Sequence, residues 1–172
     1  QQLAERTGCT IRFIPVRDNG TLALDNIDEL VTERTKIVAI TAISNVLGTI
    51  NPLQEIISKA HAVEAKVLVD AAQSAPHEVL DVQQSQADFV AFSGHKMMGP
   101  SGIGVLYGRE TILERMPPFM GGGSMIRRVR LDGFESGDLP AKFEAGTPPI
   151  VPAIGLASAI EYLSRIGIAA IR

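Results

Sequence analysis

A chain of 172 residues with 45% apolar side chains and a formal charge of −3 is long enough for one substantial core and too apolar to be intrinsically disordered. The acidic balance gives no basic field for nucleic acid, no apolar run reaches the ~20 residues that span a bilayer, and no basic start leads into an apolar signal segment. A single cysteine, Cys9, excludes an internal disulfide framework and fits a soluble protein of a reducing, cytoplasmic compartment.

"QQLAERTG" reads as the tail of a helix stopped by Gly8, and the chain closes within a helical "IGIAAIR", so it reads as part of a longer protein. Residues 10–16, "TIRFIPV", alternate polar and apolar as a half-buried strand does. Asn19-Gly20 is a turn, and Asp25 is placed to cap a helix over "NIDELVTE". "KIVAITAI" (residues 36–43) is a buried strand, suited to a sheet covered on both faces. Pro52 then opens the first turn of a helix over "LQEIISKAHAVEA". "KVLVDAA" (66–72) and "DFVAFS" (88–93) are further buried strands, and this alternation predicts an α/β fold, a mostly parallel sheet with helices on both faces.

One connection must differ. Only about nine residues separate "DFVAFS" from "IGVLYG", fewer than the dozen or so a parallel crossover needs, so these two strands pair antiparallel and the sheet is mixed. A helix around 110–115, a proline- and glycine-rich passage over 117–146 and an apolar helix from about 151 to 163 follow. Within that passage the arginine cluster "RRVR" (127–130) is short and interrupted, and reads as a solvated strand or loop edge.

Most chemical motifs fail on context. "GPSGIG" (99–104) precedes a strand, whereas phosphate-binding glycine loops lie between a strand and a helix, and "GGGS" (121–124) lacks a following Lys-Ser or Lys-Thr. His61, His77, His95 and Cys9 show no metal-ligand spacing; His61 is expected on an exposed helix face, His77 in a structural loop and Cys9 as a small buried residue. Ser93, His95 and Asp70 make no hydrolase triad, because Ser93 is flanked by Ala91 and His95 where a nucleophile elbow requires glycines.

Lys96 does point to chemistry. In "FVAFSGHKMMGPSGIGVLYG" it follows a buried strand, is succeeded by glycines and has no acidic neighbour in sequence. Its amine can reach the sheet edge where α/β ligands collect, and lysines in such settings serve as Schiff-base anchors. Asp70 ends another buried strand, at the same edge if the two run parallel. A carboxylate there often caps the next helix, but beside such a lysine it suits a protonated pyridine nitrogen, and the pair points to pyridoxal phosphate.

The blocks "SNVLGTINPLQEI", "VDAAQSAPH", "FSGHKMMGPSGIGVLYG", "GGGSMI" and "FEAGTPP" resemble, in order, those of the class V aminotransferase family of fold type I pyridoxal phosphate enzymes, most closely the cysteine desulfurases of the SUF and selenocysteine lyase type. The resemblance implies that residues 1–172 are the central part of a large cofactor-binding domain. Lys96 would form the Schiff base, Asp70 would hold the pyridine nitrogen protonated, Asn45 and Gln73 would bond the ring hydroxyl, and Ser93 and His95 would hold the phosphate. Thr147 would reach the phosphate of the neighbouring subunit, which implies a homodimer. It also implies conversion of L-cysteine to L-alanine, with sulfur leaving as an enzyme persulfide for a sulfur-acceptor protein and iron–sulfur cluster assembly. The ring-stacking histidine would lie before Gln1, and the persulfide cysteine and the arginine for the substrate carboxylate beyond Arg172. Ala71 and the Pro148-Pro149 pair depart from the usual glycine and "GTPN" and loosen the subfamily assignment. A selenocysteine lyase, transaminase, kynureninase-like hydrolase or epimerase, or a non-catalytic cofactor-binding module, stand as alternatives.

Overall fold

The computed structural model describes residues 1–171. Its centre is a four-stranded sheet of β1 (Ile37–Thr41), β2 (Lys66–Asp70), β3 (Phe89–Ser93) and β4 (Gly104–Gly108), in that spatial order. β1, β2 and β3 run parallel, with Thr41 beside Asp70 and Asp70 beside Ala91. β4 returns antiparallel to β3, with Ser93 opposite Gly104, as the short connection requires.

The strands form because their alternate residues have a core to enter. Val38, Val67, Val69 and Val90 are buried together with Ile56, Ile57 and Ala60 of helix α3 (Leu53–Ala62), which packs on β1 and β2. Each fully buried aliphatic chain of this kind contributes roughly 1.5–3 kcal/mol. Pro52 stands one residue before α3, at its N-cap. The other phase of β1 is open, with Ile37 and Ala39 exposed. A second cluster joins Met97, just after β3, to Leu156 and Leu163 of the long helix α6 (Ile150–Ile166).

Several local expectations are corrected. Helix α1 (Gln2–Thr7) does end at Gly8 in the left-handed region, φ 71°. Residues 10–16 do not form a strand; only Val16 makes a bridge, to Leu22, while Ile11 and Phe13 are exposed. Their alternation meets no partner strand, and Pro15 O and Arg17 N instead bond the returning residues Ala23 and Thr21 around the Asn19-Gly20 turn. Asp25 caps nothing. Asn26 precedes a helix, α2 (Ile27–Leu30), of one turn, and the Asp25 carboxylate pairs with Arg17, whose guanidinium holds its pKa below the usual range. Cys9 is exposed, not buried. At the other end α6 stops at Gly167, φ 86°, and only a short 3-10 turn follows. Two further short helices, α4 (Val82–Ser85) and α5 (Glu110–Leu113), link the strands.

The proline- and glycine-rich passage holds an antiparallel hairpin, β5 (Ile126–Arg130) and β6 (Gly133–Ser136), so "RRVR" is a solvated strand edge. Met125, fully buried, roots the hairpin. Gly146 N–H donates to Gly123 O at 2.8 Å, tying "EAGT" to "GGGS", and the Lys142 ammonium donates to the last carbonyls of α5.

His61 is not on a free face. Its Nε2 lies 2.8 Å from Oδ2 of Asp88, which is 2% exposed and also accepts Val67 N–H at 2.8 Å. The Arg109 guanidinium stands 3.6 Å from the other oxygen. Asp88 thus ties α3, β2, β3 and the end of β4 at the edge opposite the strands' carboxyl ends. Removing a buried charged acceptor strands its donors. Asp88→Ala should therefore cost roughly 3 kcal/mol of unfolding free energy, read by urea denaturation of the intact protein, and His61→Ala less.

Candidate active site

The carboxyl edge of the parallel strands collects the predicted residues. Asp70 closes β2, and its Oδ1 accepts Ala72 N–H at 2.9 Å. The other carboxylate oxygen has no protein donor, and no cation pairs with Asp70, among the described residues. Ser93 closes β3, two residues beyond the position level with Asp70, or roughly 7 Å further along the strand.

The chain then enters a single 3-10 turn, Gly94–Met97, which carries His95 and Lys96. This turn is forced by close packing. Met98 ends it at φ 57°, Gly94 N–H donates to Ile103 O, and Gly99 N–H donates to Gly94 O, both at 2.9 Å. A Cβ at Gly94 would stand 2.8 Å from Ile103 Cγ2, and one at Gly99 would stand 2.9 Å from Gly94 O. Only glycine fits at either place. Lys96 is half-buried and His95 exposed; neither bonds a protein group among the described residues.

Asn45 is set by a turn after β1. Ser44 Oγ accepts Val46 N–H and Leu47 N–H at 3.3 and 3.2 Å, and Gly48, φ 69°, donates to Ser44 O. Thr49 Oγ1 anchors this turn to Gly20 O at 2.9 Å. So placed, the Asn45 amide oxygen accepts a hydrogen bond from Gln73, which follows β2. Thr49 was not singled out from the sequence, and Gly20 only as part of the Asn19-Gly20 turn.

The structure therefore joins Asn45 to Gln73 directly and places Asp70, Ser93, His95 and Lys96 at one edge of the sheet. Thr147 is exposed just before α6 and bonds none of the others. His77 lies in the loop after β2, as expected, with its Nδ1 3.3 Å from Ile171 O. No cluster with metal-ligand character exists among the described residues. No helix among them is long and apolar enough to cross a membrane.

The residues present fit pyridoxal phosphate. An unopposed carboxylate oxygen suits a pyridinium, an amine without a counter-ion suits an aldehyde, an amide pair suits a ring hydroxyl, and a hydroxyl with an imidazole suits a phosphate.

A mixed, mostly parallel sheet with this lysine-bearing reversal has the fold of the pyridoxal phosphate-dependent transferases. The chain belongs to the aminotransferase class-V family, whose model matches residues 1–172. It is 54% identical over 97% of its length to a probable cysteine desulfurase of Streptomyces coelicolor and 53% identical over its full length to a cysteine desulfurase of Dickeya dadantii, covering 40% and 42% of those proteins. The crystal structure of the cysteine desulfurase CsdA from Escherichia coli matches with a TM-score of 0.95 at 43% identity, over 98% of this chain and 42% of that one. The chain thus spans about two-fifths of the length of the relatives it matches.

Proposed function

We propose that the intact protein is a pyridoxal phosphate-dependent cysteine desulfurase, with residues 1–172 as the central part of its large domain. The observation that carries this reading is the delivery of Lys96 and Asp70, from neighbouring parallel strands, to one sheet edge with neither charge met by a protein partner among the described residues. The names of the curated relatives support the choice of substrate.

Pyridoxal phosphate, when bound, supplies a ring that takes up negative charge from the carbon beside the substrate amine. The Asp70 carboxylate would hold the proton on the ring nitrogen, Asn45 and Gln73 would fix the ring hydroxyl, and Ser93 with His95 would hold the phosphate. Lys96 Nζ would anchor the aldehyde carbon at rest and, with L-cysteine in its place, take the proton from the substrate Cα. An enzyme thiolate would attack the substrate sulfur; the S–Cβ bond breaks with its electron pair left on carbon, and protonation at Cβ together with return of the proton from Lys96 to Cα gives L-alanine and an enzyme persulfide.

Cys9 bonds none of the candidate residues, and on this reading the attacking thiol lies outside residues 1–172, as do the substrate-carboxylate arginine and the ring-stacking histidine. A sulfur-acceptor protein would take the persulfide towards iron–sulfur cluster assembly. An exposed, solitary thiol at Cys9 fits a cytoplasmic location.

The direct test is incubation of the intact protein with L-cysteine. Alanine should form in step with persulfide, and borohydride reduction followed by peptide mapping should label Lys96. Lys96→Ala should abolish both, and label on another lysine would refute the assignment. Asp70→Asn should retain cofactor better than turnover, which should fall roughly 100-fold or more. Turnover near wild type would reduce Asp70 to a cap on Ala72 N–H.

Thr147 tests the homodimer. Its exposure, with no hydrogen bond to the phosphate-side residues among the described residues, supports action in the neighbouring subunit across an isologous interface. Loss of one hydrogen bond to a charged group should weaken cofactor binding roughly 10- to 100-fold in Thr147→Ala. Mixing Lys96→Ala and Thr147→Ala proteins should then restore one high-affinity site per heterodimer. If confirmed subunit exchange restores none, Thr147 does not act across the interface.

A further inference from the structure

α6 carries a glycine in its interior, Gly155, where alanine would make the better helix. Its place is explained by what lies against it. A Cβ on Gly155 would stand 3.0 Å from Pro100 Cγ and 3.1 Å from Pro100 Cδ. Pro100 belongs to the reversal that carries Lys96. The neighbouring Leu156 reaches 3.1 Å from the Cβ position of Gly99, whose N–H closes the turn on Gly94 O. Leu156 also packs with Met97, the residue after Lys96, and with Leu163 about two turns further on. One face of α6 is thus the floor on which the lysine turn rests, and the missing side chain at Gly155 sets its height.

We propose that Gly155 is a positioning residue for Lys96: its lack of a side chain lets the 94–103 reversal seat on α6 at the depth that holds the amine at the cofactor edge. The role assigned to Lys96 rests on the reading given above. The contact between Gly155 and Pro100 does not. A methyl group at Gly155 would be tighter against the Pro100 ring than side chains ordinarily pack, so Pro100, and with it the lysine turn, has to give by a few tenths of an ångström.

The test is Gly155→Ala in the intact protein, alone and combined with Pro100→Ala, which removes the ring atoms the methyl would meet. In the cofactor-free protein, Gly155→Ala should leave Tm within about 3 °C of wild type, because helix propensity gains what packing loses. Hydrogen exchange over residues 94–104 should rise while that of β1 and β2 stays unchanged. Cofactor affinity should fall roughly tenfold. The double variant should regain most of that affinity relative to Pro100→Ala alone. Wild-type exchange in the turn, wild-type affinity, or a double variant no better than the sum of its parts would each overturn the inference. A Lys96→Ala control separates the two claims. If it still holds cofactor covalently, the cofactor reading fails, while exchange in the cofactor-free protein still decides whether Gly155 seats the turn.

Discussion

The steric closure of the 94–103 reversal governs the site. β3 and β4 are hydrogen-bonded neighbours up to Ser93 and Gly104, so the chain must turn back within the residues between them. Three glycines sit where no Cβ has room: Gly94 against Ile103, Gly99 against Gly94 O, and Gly104 against Phe92 O at 2.9 Å. With so little freedom, the half-buried lysine between them has a direction set by backbone packing. A flexible loop could bring an amine to the same edge, but would lose side-chain and backbone entropy each time it did so.

The opposite edge of the sheet supplies the complementary constraint. Asp88 is a nearly inaccessible carboxylate that meets a ring nitrogen, a guanidinium and a backbone N–H from three other segments. Fixing the amino ends of β2 and β3 against each other also fixes their far ends, because the two strands keep one register from Leu68 beside Phe89 to Asp70 beside Ala91. The relative height of Asp70 and Ser93 is therefore decided at the end of the molecule that takes no part in the chemistry. At the carboxyl edge, by contrast, Asp70 and Lys96 pair with no protein counter-ion among the described residues.

What could be read from sequence follows from range. The apolar runs of β1, β2 and β3 declare themselves locally, and the antiparallel sense of β4 follows from loop length alone. Lys96 and Asp70 stood out because a charge directly after a buried run needs a reason. Residues 10–16 show the limit of pattern, since alternation describes a strand only where another strand is there to pair. Asp25 had the right position to cap a helix, but Arg17 across the Asn19-Gly20 turn competes for its carboxylate. His61 and Asp88 are 27 positions apart and nothing in either neighbourhood announces the other. The β5–β6 hairpin was hidden because its arginines and glycines leave almost no apolar alternation, only Met125 as a buried root.

Spatial order in the main sheet repeats chain order, β1-β2-β3-β4. Among these four strands, each can add to an edge that the one before it presents, and none has to insert between two of the others. The parallel neighbours are joined through short helical connections and the last pair through a tight reversal, so the loops to be closed stay short and their entropic cost modest. Such a sheet can grow in one direction as it is translated, with the lysine-bearing turn formed only after the strand that carries Asp70 is in place.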